Sequence, residues 1–239
     1  MPEQRIETDD SPYILIPHCE GQVVVKSWRQ TAVSIQGAAF DVNDEQDGLI
    51  RISSQADLFL AVPAQSSLSL GEVWGDVTLK HLQGGITGDD LQGNVRLNNV
   101  DAVQIEQVGQ NLTAENFNGL LGVEQVQGNL WLQRVSSVKI GAVQGSAVIE
   151  YANGVVELGQ VGGRLTLTSI SGDVLIANAL ADVTLQNLGG VTTLPSVLGD
   201  IWLVGGLRAG EQTFVSEQTI YVYWPQDAPL HLFCQRAAA

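Results

Sequence analysis

Cysteine is scarce in this sequence, which limits the covalent and metal-dependent chemistry that the chain can carry. The 239 residues include two cysteines, Cys19 and Cys234, each beside an apolar strand near one end of the chain. Neither has neighbours at the spacing of metal ligands, so we predict no metal site and no cofactor. A disulfide that joins the two ends is one interpretation, and two buried thiols is the interpretation that we favour.

Positive charge is scarce as well. The chain has 11 lysines and arginines against 26 aspartates and glutamates, and three of the basic residues are lysines. The formal net charge is -15 and the pI is about 4.3. Because such a surface repels phosphate groups, we expect neither a nucleic acid partner nor binding to an anionic membrane surface. A cationic partner, or solubility through self-repulsion, is compatible with the composition.

Long apolar runs are absent, and the first ten residues, MPEQRIETDD, are polar and acidic. The sequence therefore shows no stretch of transmembrane length and no secretory signal of the usual kind. For the sequence as given we predict a cytoplasmic protein with no membrane insertion. A cell-surface location is predicted instead if the sequence is an excised domain.

Catalytic motifs are missing too. The sequence has no G-x-S-x-G, P-loop, GxGxxG or HExxH motif, and its three histidines have no pairing spacing. Solenoid hydrolases and lyases gather ionisable residues over neighbouring coils, and here that set would be acidic: Asp89, Asp90, Asp101, Glu106, Glu115 and Glu124. A solvated acidic face explains the same residues. We therefore predict a non-enzymatic protein, with a polysaccharide hydrolase or lyase as the disfavoured alternative.

What the sequence does contain is a repeat. From Gly75 to Gly206 it consists of seven units of 17 or 18 residues and half of an eighth. Each unit holds two half-units with the pattern G-x-h-x-h-x-x-h, where h is apolar. A short fixed period with alternation inside it is typical of a β-solenoid in which each unit forms one coil. We predict an all-β, single-stranded β-solenoid, whose seven coils at about 4.8 Å each would form a rod roughly 34 Å long.

The alternation also predicts which side chains face the core, because successive strand residues point to opposite sides. The first inward column is Val77, Val95, Leu112, Leu130, Ala147, Leu165, Val183 and Ile201. The second is Leu79, Leu97, Ala114, Leu132, Ile149, Leu167, Leu185 and Leu203. The third is Leu82, Val100, Phe117, Val135, Ala152, Ile170 and Leu188. The other half-unit begins with Ile86, Val103, Leu121, Val138, Val156, Val174 and Thr192.

The recurring glycines are predicted to mark corners of the coil, often with positive φ. A polar column precedes the first inward column: Asp76, Asn94, Asn111, Asn129, Ser146, Arg164, Asp182 and Asp200. Stacked asparagines can hydrogen-bond along the rod axis. A row that binds sugars or ions is the functional interpretation of this column. The structural interpretation is favoured, since turns select Asn and Asp for backbone reasons alone.

The chain is predicted to form one domain with four segments. Residues 1–12 are expected to be a disordered acidic tail, and residues 13–74 irregular opening β coils or a cap. Residues 75–206 are the regular β-solenoid, and residues 207–239 are C-terminal strands or a cap.

The two irregular segments resemble each other. Residues 219–232 match residues 57–70 position for position, as strand, proline, turn and strand, at an offset of 162 residues. No capping helix is predicted at either end, and an uncovered terminal strand is a template for another chain. We therefore predict self-association into homo-oligomers or filaments. The proposed assembly end comprises Tyr221, Tyr223, Trp224 and Phe233.

A second candidate surface lies on the side of the rod. Trp131, Val148 and Trp202 belong to one outward column, with the two tryptophans four coils apart. Exposed tryptophan on a flat sheet can stack on sugars or anchor a protein partner. Alternatively, a loop or the C-terminal strands fold over this face and bury it. The sequence leaves both interpretations open.

One stretch resembles a known family. A strand that ends in Val62-Pro63 is followed by Leu68-Ser69-Leu70 and then by Gly75-Asp76-Val77, and the Gly-Asp pattern returns at Gly172-Asp173 and Gly199-Asp200. These motifs resemble the DUF4097 family of adhesin-type β-solenoid domains, which has no agreed catalytic residues. That resemblance implies a binding module that presents a flat face to a glycan or cell-envelope partner. The chain is more loosely similar to bactofilins, bacterial β-solenoids that polymerise end to end.

Overall fold

The computed structural model describes residues 3–44, 49–207 and 212–224, which form one hydrogen-bonded sheet of 21 strands and contain no helix. The strands are β1 (Glu3–Glu7), β2 (Tyr13–Cys19), β3 (Val23–Trp28), β4 (Ala32–Gly37), β5 (Phe40–Asp44), β6 (Leu49–Ser54), β7 (Leu58–Pro63), β8 (Ser67–Val73), β9 (Val77–Leu91), β10 (Val95–Val108), β11 (Leu112–Val126), β12 (Leu130–Val143), β13 (Ala147–Ala152), β14 (Val156–Val161), β15 (Leu165–Ile170), β16 (Val174–Ala179), β17 (Val183–Leu188), β18 (Thr192–Val197), β19 (Ile201–Leu207), β20 (Thr213–Ser216) and β21 (Ile220–Tyr223).

The regular part of the solenoid consists of parallel strands in which each residue pairs with one in the next coil. Val77 pairs with Val95, and Val95 pairs with Leu112. The same register continues through β12, β13, β15, β17 and β19, while the second half-units stack through β12, β14, β16 and β18. The prediction of an all-β solenoid with coils of about 18 residues is therefore confirmed.

The core runs along the axis of the rod. Every member of the four predicted inward columns is buried, because the alternation places each of them on the same side of its strand. Phe117 is the largest of the fully buried side chains. Thr192 is a polar member of these columns, and its hydroxyl has no hydrogen-bond partner among the described residues.

The corners differ from the prediction that glycines supply positive φ. Among the described glycines, Gly205 alone has a positive φ, at 81°. One non-glycine residue per coil takes the left-handed conformation instead, with φ between 52° and 59°: His81, Asn99, Asn116, Arg134, Tyr151, Ser169 and Asn187. These residues stack in one column directly before the third inward column. The left-handed residue bends each first half-unit, and no residue of the described second half-units does the same.

This conformation gives two substitutions of Ser169 opposite expected effects. Ser169→Val should destabilise the protein by about 1–2 kcal/mol, because a left-handed φ crowds a β-branched side chain most. Ser169→Gly removes the β carbon and should leave the stability unchanged or slightly higher. Thermal unfolding of both variants measures the difference. Equal melting temperatures would contradict a left-handed conformation at residue 169.

The glycines are required for another reason, which is the close approach of neighbouring coils. A β carbon on Gly128 would lie 2.6 Å from the carbonyl oxygen of Gln110 in the preceding coil. The Gly128 amide also donates a hydrogen bond of 2.9 Å to that oxygen. Real β carbons do not approach backbone oxygens so closely, so a larger residue would force the two coils apart.

The predicted asparagine column forms a hydrogen-bonded ladder along the rod. The Asn94 side-chain amide donates to Asp76 Oδ1 at 2.9 Å, Asn111 donates to Asn94 Oδ1 at 2.9 Å, and Asn129 donates to Asn111 Oδ1 at 3.1 Å. The backbone amides of the same three asparagines donate to the same oxygens. The ladder thus satisfies backbone groups at a corner where no strand partner is available.

The N-terminal coils do not stack in the order of the sequence. Strand β3 pairs in parallel with β7 on one side and with β9 on the other. Strand β2 likewise lies between β6 and β8. The coil made by β2 and β3 is therefore inserted between two coils that follow it in the sequence. In space, ten coil steps rather than nine separate Leu58 from Ile220.

Antiparallel strands close this N-terminal end. Strand β4 pairs with β7, β1 pairs with β4, and β5 pairs with β6, all antiparallel. The structure differs here from the predicted disordered tail, because Glu3–Glu7 forms an edge strand with Ile6 in the core. The tail is further held by the Arg5 guanidinium, which lies 5.7 Å from the Trp28 ring.

Candidate binding face and open end

The outward column of the first half-units brings together the three residues predicted to form an interaction face. Thr113 pairs with Trp131, Trp131 with Val148, and Trp202 ends the regular column after two threonines. Both tryptophans are half-buried. The C-terminal strands β20 and β21 extend the stack rather than cross this face.

A recess of about 370 Å³ lies beside Trp131. Its walls come from alternate coils, because the short side chain of Thr113 stands between the long side chains of Arg96 and Trp131. Along its edge runs the asparagine ladder, and the full lining is Asn94, Arg96, Asn111, Leu112, Thr113, Asn129 and Trp131. The recess therefore combines an aromatic surface with several polar groups.

The charge of Arg96 is neutralised within the protein. Its guanidinium donates to Asp76 Oδ2 at 2.7 Å. Partial burial acts to raise the pKa of Asp76, but the hydrogen bonds from Arg96 and Asn94 lower it further, and the resulting pKa lies below the usual value for aspartate. Asp76 is thus ionised at neutral pH and remains paired with Arg96.

Trp202 lies far from this recess and makes a different contact. Its ring stacks on Tyr221 of the next coil, with 5.5 Å between the ring centroids and 10° between the planes. The two predicted surfaces therefore meet at the C-terminal end of the rod, where Trp202 belongs to the same aromatic group as the proposed assembly end.

The predicted assembly end is only partly within the described residues. Tyr221 and Tyr223 are exposed, at 40% and 59%, and Trp224 is half-buried. Phe233 and Cys234 lie outside the described residues. Ile220 continues the first inward column, yet it is 39% exposed because no described strand stacks on it.

The acidic residues do not form one cluster. Asp89, Glu106 and Glu124 are exposed and stack on the second half-units. Glu115 lies on the first half-unit, where it accepts a hydrogen bond from Asn98 at 3.4 Å, and Asp101 accepts one from Asn118 at 3.4 Å. The described residues contain no group of three or more side chains placed to hold a metal ion.

Sequence reasoning missed a small cluster near the N-terminal end. His18 Nδ1 lies 3.4 Å from Glu72 Oε2, and the His18 ring packs edge-on against Trp74 at 5.3 Å. These residues are far apart in the sequence and meet because β2 pairs with β8. Nearby Cys19 is a free, buried thiol, and burial raises its pKa.

Comparisons with known proteins add little. No protein family matches the chain, and no curated protein matches its sequence. The chain is similar to the crystal structure of a "putative cell adhesion protein" from Clostridium sporogenes ATCC 15579, with 9% sequence identity and a TM-score of 0.23, over 94% of this chain and 99% of that one. The resemblances to DUF4097 and to bactofilins therefore remain predictions. The described residues include no helix that is long and apolar enough to span a bilayer.

Proposed function

We propose that the protein is a non-enzymatic structural β-solenoid that associates with a second copy through its C-terminal end. The observation that carries this proposal is the difference between the two ends of the core. Leu58, in the first inward column near the N-terminal end, is fully buried, whereas Ile220 in the same column at the C-terminal end is 39% exposed.

The edge strands support the same assignment. The N-terminal edge strand β1 carries the charged side chains of Glu3, Arg5 and Glu7, and such charges oppose pairing with another chain. The C-terminal strands have the sequences TFVS and IYVY, without any charge. An uncharged, aromatic edge strand next to an open core is suited to pairing with another strand.

The closed N-terminal end favours pairs over filaments. A filament needs two complementary ends, whereas a two-fold pair needs one self-complementary end. Two copies related by a two-fold axis would place β21 antiparallel to β21 of the second copy. Ile220, Val222 and Phe214 would then enter a shared core. We therefore propose a dimer as the assembled form, in place of the filament that the bactofilin likeness implies.

Charge reversal at the end tests this proposal. The double variant Tyr221→Glu with Tyr223→Glu should sediment as a monomer of 25.5 kDa, whereas the unmodified chain should sediment at twice that mass. The two new carboxylates would face their counterparts across the strand pair and repel them. Tyr151→Glu is the matched control, since Tyr151 is 55% exposed in the middle of the rod. It should not change the sedimentation.

Three outcomes would contradict the proposal. The first is a full-length chain that stays monomeric at high concentration. The second is a dimer that the Tyr151 and the Tyr221/Tyr223 variants weaken equally. The third is a monomer that dimerises only after residues 225–239 are deleted, because the chain's own C-terminal segment would then be what covers the end. Filaments seen by electron microscopy would contradict closure of the N-terminal end.

A second candidate function is a binding module that uses the side of the rod. The recess between Arg96 and Trp131 favours it, because the recess offers an aromatic surface and polar groups on a rigid scaffold. The two functions are compatible, since the recess lies several coils from the C-terminal end.

A further inference from the structure

We infer that the recess beside Trp131 binds a neutral pyranose ring of a glycan. This inference rests on the second candidate function, the binding module, and is independent of self-association. It narrows the predicted face, because it assigns Trp131 to the ligand and leaves Trp202 to the C-terminal aromatic group.

The dimensions of the recess suit a single sugar ring. Arg96 and Trp131 are two coil steps apart, which corresponds to about 10 Å between their strands. Thr113 lies between them, and its side chain is too short to fill the gap. A ring that enters the gap would lie between the indole and the guanidinium, above the Thr113 hydroxyl.

The indole provides the apolar contact that a sugar needs. Trp131 is half-buried, so part of its ring is held by the protein and part of it faces the recess. The C–H groups on one side of a pyranose form an apolar surface that packs on such a ring, while its hydroxyls remain free for hydrogen bonds.

The asparagine ladder provides matching polar groups. Asn111 and Asn129 each use one amide proton and their Oδ1 atoms within the ladder. A side-chain amide has two protons, so each of them keeps a second proton that can be donated to a sugar hydroxyl. Because the ladder fixes the amides at every coil, these donors are preorganised.

The charges around the recess exclude an acidic ligand. Asp76 holds the Arg96 guanidinium at 2.7 Å and cancels its charge, and the chain as a whole has a net charge of -15. A uronic acid or a phosphorylated sugar would have to approach this negative surface without an unpaired cation to receive it. The chemistry therefore points to a neutral glycan.

Titration calorimetry with neutral hexasaccharides tests the inference. The probes are maltohexaose, cellohexaose and chitohexaose, and an oligogalacturonate hexamer is the charged comparison. At least one neutral probe should bind the full chain, and Trp131→Ala should weaken that binding about tenfold or more. Trp202→Ala is the matched control, because Trp202 has the same outward phase but does not line the recess. It should change the affinity less than twofold.

A second variant makes the test independent of the Trp131 side chain. Thr113→Phe fills the gap between the two walls and should abolish binding while the circular dichroism spectrum remains that of a β protein. The inference is overturned if no neutral hexasaccharide binds, if Trp131→Ala and Trp202→Ala weaken binding equally, or if the oligogalacturonate binds more tightly. Sedimentation of the same variants separates this outcome from a failure of self-association, which Trp131→Ala should not affect.

Discussion

Leu167→Asp is expected to unfold the central coils of the rod, with a loss of several kcal/mol of stability. Leu167 is fully buried in the second inward column, between Ile149 and Leu185 of the adjacent coils. A carboxylate at this position would have no partner, and burying one costs several kcal/mol. Neighbouring coils would unfold with it, because each coil of a solenoid is stabilised by the coils on either side. Urea unfolding followed by circular dichroism measures the loss.

The adjacent Thr166 provides a matched control. Thr166→Asp introduces the same charge one residue away, on the outward side of the same strand, and should cost less than about 1 kcal/mol. Leu132→Asp should behave like Leu167→Asp, because Leu132 occupies the same column two coils away. If Leu167→Asp and Thr166→Asp were equally stable, the inward assignment would be wrong.

The second large effect is expected at Gly128. Gly128→Val should destabilise the protein by about 3 kcal/mol, because overpacking at a rigid contact forces the backbone to shift. The new β carbon would lie 2.6 Å from the Gln110 carbonyl oxygen and 2.8 Å from Asn111 Oδ1. Both oxygens accept hydrogen bonds that hold the two coils together, so the coils cannot separate without losing those bonds. The thermal unfolding midpoint measures the effect.

Gly85 is the control for this substitution. A β carbon on Gly85 would have no atom within 4 Å, and the residue is exposed. Gly85→Val should therefore leave the unfolding midpoint within about 2 °C of the unmodified protein, which corresponds to the small effect of a typical surface substitution. A similar loss at Gly85 and Gly128 would mean that β propensity, rather than the distance between coils, decides where glycine is required.

The sequence predicted the core well because the solenoid converts position within the repeat directly into position in space. Leu79 and Leu97 occupy the same place in successive units, and they pair in successive coils. No long-range information is needed to deduce this, since the neighbour of each residue is the residue one period away. The burial of every predicted inward column follows from that relation.

The left-handed corner could not be predicted in the same way. Its seven members include His81, Arg134 and Tyr151 beside three asparagines, so no shared residue type marks the column. The asparagines were the available signal, because Asn takes a left-handed φ more readily than most residues. The recurring glycines directed attention to the wrong corner, since close contact between coils selects glycine as strongly as a positive φ does.

The N-terminal coils were unpredictable for a different reason. The strands β2 and β7 have the apolar alternation of any coil, and nothing in that alternation specifies which coil lies on either side. The recess posed a similar difficulty. Trp131 could be placed on the outward face from its phase alone, but its relation to the Arg96–Asp76 pair depends on side-chain positions in three coils.

The polypeptide leaves the ribosome in an order that differs from the order of its coils. The coil of β2 and β3 is synthesised first, yet both of its neighbours are synthesised later. By Pro63 the nascent chain holds everything needed to seal one side of this coil, and residues 64–66 then carry it across to the other side. Each repeat that follows emerges next to an edge already waiting for it. The rod is therefore arranged to grow in the direction of translation from a seed that is closed behind it.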